Sequence, residues 1–138
     1  MDLGISGRRA LITGGSLGIG KATAAELAAE GVDVAICSRR PEPLEVTAQE
    51  IRDATGVKVV VIPTDLTDDD QARNFVEQGA KELGRVDIMV NNAGSSPGGV
   101  LENLTEDDWA QSLQLKFMGY VRCLRYGVPS LVKQGGGR

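Results

Sequence analysis

Histidine is absent from all 138 residues. That removes every imidazole, so no Ser–His triad and no His-liganded metal site can be built here. Cysteine is nearly absent: Cys37 falls in an apolar strand-like run, Cys123 in a helix-like one, and the pair lacks metal-ligand spacing. Both read as small buried hydrophobes in a reducing compartment, and no metal site is expected. No apolar run reaches the ~20 residues of a membrane helix. The start, "MDLGISGRR", lacks a signal-peptide core. No membrane partner and a cytoplasmic location are therefore expected. Acids outnumber bases by 19 to 15 and the two are interspersed, so the basic stripe of a nucleic-acid binder is missing. What remains is ordinary globular composition, 41% hydrophobic and 25% charged, enough for one domain with a proper core.

Four short apolar runs are present: "RALIT" (9–13), "VDVAIC" (32–37), "VKVVVI" (57–62) and "VDIMV" (86–90). Nearly continuous apolar runs suit strands buried on both faces of a parallel sheet. Helical spacings lie between them. Ile19, Thr23 and Leu27 share a face before Gly31, and Leu44, Ala48 and Ile51 recur after Pro41 and Pro43. The stripe Ala72, Phe75, Val76, Gly79, Ala80 and Leu83 ends at Gly84. Thr67 is read as the N-cap of that helix, with Asp68 to Asp70 in its first turn. Thr105 and Asp108 form a capping-box pattern. The helix it opens, 106–133, carries Trp109, Leu113, Phe117, Val121, Leu124, Val128 and Leu131, with Leu115 and Met118 on a second side and Pro129 as a kink site. Such alternation implies a doubly wound α/β domain.

"TGGSLGIG" (13–20) follows the first strand. A glycine-rich strand-to-helix turn presents backbone N–H groups at a positive helix end and favours a phosphate. The G-x-G-x-x-G fingerprint fails, because Thr23 stands where its third glycine belongs. The P-loop spacing runs through Gly15, Gly20 and Lys21, but Ala22 replaces the Mg²⁺-binding hydroxyl. T-G-x-x-x-G-x-G is met by Thr13, Gly14, Gly18 and Gly20.

That spacing, with "NNAG" (91–94) after the fourth run and Asp65-Leu66 after the third, resembles the short-chain dehydrogenase/reductase family over the whole chain. The resemblance implies a Rossmann-like parallel sheet in the order 3-2-1-4, with helices on both faces, and one domain, 1–138, that stops before a fifth strand. It implies cofactor contacts at Gly14, Ser16, Leu17, Gly18, Ile19 and Gly20 in the first loop. Ser38, Arg39 and Arg40 follow the second strand, Asp65 and Leu66 the third, and Asn92, Ala93 and Gly94 the fourth. Asn91 and Asn92 would also bridge strands; without the family they read as turn residues.

An acid after the second strand accepts the ribose 2′-OH of NAD, whereas an arginine accommodates the 2′-phosphate of NADP. Here Ser38-Arg39-Arg40 precede any acid, so NADP(H) is expected, with Arg39 as the main contact. The family's catalytic Ser and Tyr-x-x-x-Lys have no match. Tyr120 is followed four residues on by Leu124, and Tyr126 by Ser130. Lys116 stands at the family's supporting Asn and could hold a water or a substrate group. The leading expectation is the cofactor half of an oxidoreductase for a small-molecule carbonyl or alcohol, inactive alone. The fourth strand should be an exposed edge, and helix 106–133 should join a homo-oligomer. The alternatives are a non-catalytic dinucleotide-binding module and, disfavoured by Ala22, a P-loop-like hydrolase.

Overall fold

The computed structural model describes residues 3–138; Met1 and Asp2, which open the segment read for a signal peptide, lie outside the described residues. The four apolar runs form parallel strands β1 (Arg9–Thr13), β2 (Asp33–Cys37), β3 (Val59–Val61) and β4 (Ile88–Val90), in the order β3-β2-β1-β4. Leu11 sits in register with Ala35 on one side and Met89 on the other. Strands β3 and β4 are shorter than their runs. Asp87, just before β4, donates its N–H to the Arg9 carbonyl at 2.8 Å, and its buried carboxylate accepts the Arg9 N–H at 2.9 Å and salt bridges from Arg8 and Arg85.

Side chains alternate across the sheet and divide the core in two. Ala10, Ile12, Val34 and Ile36 face α1 (Gly18–Ala29) and α2 (Pro41–Thr55). Leu11, Ala35, Cys37 and Val60 face α3 (Asp69–Leu83) and, beyond it, α5 (Gly119–Lys133). Both cysteines are free and buried. Burial pushes the Cys123 thiol up to about 11 and the Cys37 thiol higher still, so both stay protonated and inert at neutral pH.

Helices α2 and α3 bury the stripes read from the sequence, and Gly84 ends α3 in the left-handed conformation at φ 84°. The face expected of α1 is wrong. Its buried residues are Gly20, Ala24 and Ala28, while Ile19 is 78% exposed. Small residues let this helix lie close to the sheet, which larger side chains would prevent. The cap of α3 shifts by one residue: Asp68, not Thr67, accepts the Gln71 N–H at 2.9 Å. Thr67 donates to Asp65 instead.

The expected helix 106–133 is not continuous. Residues Glu106–Leu113 form α4 behind the Thr105–Asp108 capping box, Gln114–Met118 form a π-helical turn, and α5 follows with Pro129 inside it. The Gly119 N–H reaches back to the Gln114 carbonyl. Arg122 donates to that same carbonyl at 3.1 Å and to the Leu66 carbonyl at 3.0 Å, which fixes the irregular turn against the end of β3. One side of the assembly stays uncovered: Trp109 is 48% exposed, Leu113 56%, Phe117 61% and Leu124 43%.

The outer edge of β4 is not bare, as the sequence suggested. Gly135 and Gly136, at φ 96° and 134°, turn the chain back after α5. Arg138 then donates to the Asp87 carbonyl and accepts the Met89 N–H, each at 2.9 Å. These two bonds follow the parallel-ladder pattern and set Arg138 beside Ile88.

Candidate functional site

The carboxyl ends of all four strands open on one side of the sheet, where parallel α/β folds bind ligands. A cleft of about 800 Å³ lies there. Two tight backbone approaches shape its floor. Gly14 takes φ 71°, and a Cβ on it would fall 2.9 Å from the Ala93 Cα. A Cβ on Gly20 would fall 2.1 Å from the Gly14 carbonyl oxygen. Only glycine permits this layering of loop, helix and β4 turn.

Thr13 locks the layers together. Its buried hydroxyl accepts the N–H groups of Asn92 at 2.9 Å and Ala93 at 3.0 Å. The Asn92 side-chain amide donates to the carbonyls of Thr13 at 3.0 Å and Gly14 at 3.3 Å. Asn92 thus bridges the ends of β1 and β4. Asn91 does not repeat the pattern; its Oδ1 is buried with no partner.

The N-terminus of α1 points into this setting without a side-chain cap and without an acid in its first turn. Helices α3 and α4 have both. The first backbone bond of α1 is Lys21 N–H to the Leu17 carbonyl. The N–H groups before Lys21 therefore have no intrahelical acceptor, which suits an anion.

Most residues singled out in the sequence meet here. Gly14, Ser16, Leu17 and Ile19 line the cleft from the first loop. Ser38, Arg39 and Arg40 line it from the end of β2, Leu66 from the end of β3, and Asn92 to Gly94 from the end of β4. Gly18 and Gly20 do not line it and act through the backbone. Asp65 faces an adjoining cleft of about 660 Å³ that shares Arg39, Ser95 and Leu115 with the first. Hydrogen bonds from the Thr67 N–H and hydroxyl hold its carboxyl below the usual carboxylate range, against burial. Arg39 and Arg40 are exposed, and neither has an ion-pair partner among the described residues.

Sequence reasoning missed Cys37, Thr64 and Leu115, which line the cleft along with Ser95. Cys37 and Thr64 follow from the rule that strand ends build such sites. Leu115 had no local signal, because the π-helical turn brings it in. Lys116, on the same turn, donates to the Ser96 hydroxyl at 2.8 Å. The tyrosines are elsewhere: the Tyr126 hydroxyl donates to Asp69 at 2.6 Å and ties α5 to α3.

Known proteins share this fold. The short chain dehydrogenase family model matches residues 8–138. The glycine betaine reductase of Emericella nidulans is 38% identical over 96% of the chain, which covers 10% of that protein. An L-sorbose reductase from Gluconobacter frateurii, solved with NADPH and L-sorbose, superposes with a TM-score of 0.93 at 34% identity, covering 99% of this chain and 52% of that one. An NAD⁺-bound xylitol dehydrogenase gives a TM-score of 0.92 at 28% identity, covering 97% and 52%. Among the other curated oxidoreductases it matches, several are about twice as long; the chain spans 51% to 53% of their length. The fold, the cleft and the family match agree, and the chain belongs to the short-chain dehydrogenase family.

Proposed function

We propose that residues 1–138 are the NADP(H)-holding part of an oxidoreductase that acts on a small carbonyl or alcohol. The observation that carries this reading is the uncapped α1 N-terminus and glycine floor at one end of the cleft, with two unpaired arginines, Arg39 and Arg40, at another. Bound there, the nicotinamide supplies or takes up a hydride. The residues of this chain have other tasks. Gly14 to Gly20 admit the pyrophosphate against backbone N–H groups. Arg39, with Arg40 and Ser38, meets the 2′-phosphate with a planar donor fork. Asp65 and Leu66 border the adenine, and Asn92 to Gly94 hold the wall on the nicotinamide side.

No residue of this chain stands where the family has its proton donor. The chain alone therefore binds cofactor weakly and turns nothing over. The uncovered row Trp109, Leu113, Phe117 and Leu124 supports a homo-oligomer through 106–133. No helix among the described residues is long and apolar enough to cross a membrane, which accords with a cytoplasmic site of action.

Titration of isotope-labelled protein with NADPH tests the assignment. Amide signals of Gly14 to Gly20 and Asn92 to Gly94 should shift saturably. Unmoved signals in both segments would remove the cofactor reading and leave a fold without that ligand.

A further inference from the structure

We infer that Lys116 is a specificity-determining residue: its ammonium recognises a carboxylate on the substrate, so the molecule handled beside the cofactor is an acidic carbonyl or hydroxy compound. This deepens the NADP-dependent reading and rests on it. Three observations set this exposed lysine between Gly94 of the first cleft and Ser96 of the adjoining one, with no carboxylate on its charge.

The first is its seat. A Cβ built on Gly94 would lie 3.1 Å from the Lys116 Cε and 3.3 Å from its Cγ. The aliphatic stem therefore lies flat over the bare Cα of Gly94, which lines the cleft. The second is its head. The Nζ donates to the Ser96 hydroxyl at 2.8 Å, and Ser96 lies 3.1 Å from the Ser112 hydroxyl. An ammonium has three donors, and the contact to Ser96 uses one. No carboxylate lies within ion-pair distance of it among the described residues. Lys21 pairs with Glu50 at 2.5 Å and Arg122 approaches Asp69, whereas Lys116, like Arg39 and Arg40, has no such partner among the described residues. The third is its backbone. Lys116 is the middle residue of the π-helical turn, a geometry that recurs at functional sites.

Two free N–H donors beside two serine hydroxyls match the two oxygens of a carboxylate, and a charged acceptor makes the stronger hydrogen bonds. The acids nearby do not take this role. Asp65 lines the adjoining cleft together with Ser96 and Ser112, but its carboxylate is occupied by Thr67. Asp107, which also borders that cleft, belongs to the exposed first turn of α4.

The test uses the labelled protein saturated with NADPH, titrated with malonate or with its neutral diamide, following the amides of Gly94, Ser96 and Ser112. Malonate should shift these signals saturably and the diamide should not. Lys116→Gln should weaken the malonate response about tenfold or more, whereas Lys116→Arg should keep it. Ser96→Ala should weaken it as well, which separates recognition from a local distortion at position 116. Signals unmoved by malonate, or moved equally in Lys116→Gln, would overturn the inference. So would a loss of NADPH affinity in Lys116→Gln, which would give the ammonium to the cofactor instead. Wild-type protein that takes up no NADPH sinks the cofactor reading separately; malonate titration of the free protein then decides the role of Lys116 by the same three signals.

Discussion

Thr13 holds the site together with one hydroxyl. It accepts two backbone N–H groups from the β4 turn and lies 3.4 Å from the Val90 carbonyl that takes its proton. Thr13→Val keeps the shape but leaves both N–H groups without an acceptor in a buried place. A stability loss of about 2–3 kcal/mol is expected, read from the urea midpoint. Thr13, Gly14, Gly18 and Gly20 were legible because their backbone demands fix residue type at fixed spacing. Leu115 was not, since nothing local around it distinguishes a cleft wall from a surface. The roles proposed for Arg39 and Lys116 rest on cations with no carboxylate in ion-pair contact among the described residues.

At the scale of elements, close packing decides what the sequence pattern shows. Helices α2 and α3 announce themselves by large apolar side chains such as Leu44 and Phe75. Helix α1 hides its buried face in Gly20, Ala24 and Ala28, while the conspicuous Ile19 stands exposed beside the cleft. The π-helical turn was not legible either, because it depends on Arg122 reaching Gln114 and Leu66 across the fold. Helix α3 meets the sheet through Gly79, where a Cβ would come 2.6 Å from the Cδ2 of fully buried Leu11. Gly79→Val should therefore overpack this layer and lower stability by about 1–3 kcal/mol, seen as a lower Tm.

For the molecule as a whole, the acid limb of stability should carry a contribution from Asp87, which joins the starts of β1 and β4. Burial raises its carboxyl, but hydrogen bonds from the Arg9 N–H, Arg85 and Arg8 outweigh that and hold it below its ordinary 3.8. The contribution is thus complete above 3.8 and is lost as pH falls through the depressed folded value. Denaturant titrations across that acid range should show stability falling less steeply in Asp87→Asn than in the wild type. The sheet order was readable from the alternating pattern and the family resemblance. The cover on β4 was not, since it needs the return of "GGG" after α5. The uncovered row on α4 and α5 should make light-scattering mass rise above 14.6 kDa with concentration, and Phe117→Glu should reverse that. Calorimetric affinities for NADPH and NADH test the proposed task of the arginines after β2 most directly. NADPH should bind the wild type about tenfold or more tightly than NADH, and Arg39→Ala should erase most of that difference. Equal affinities, or tighter binding of NADH, would contradict it.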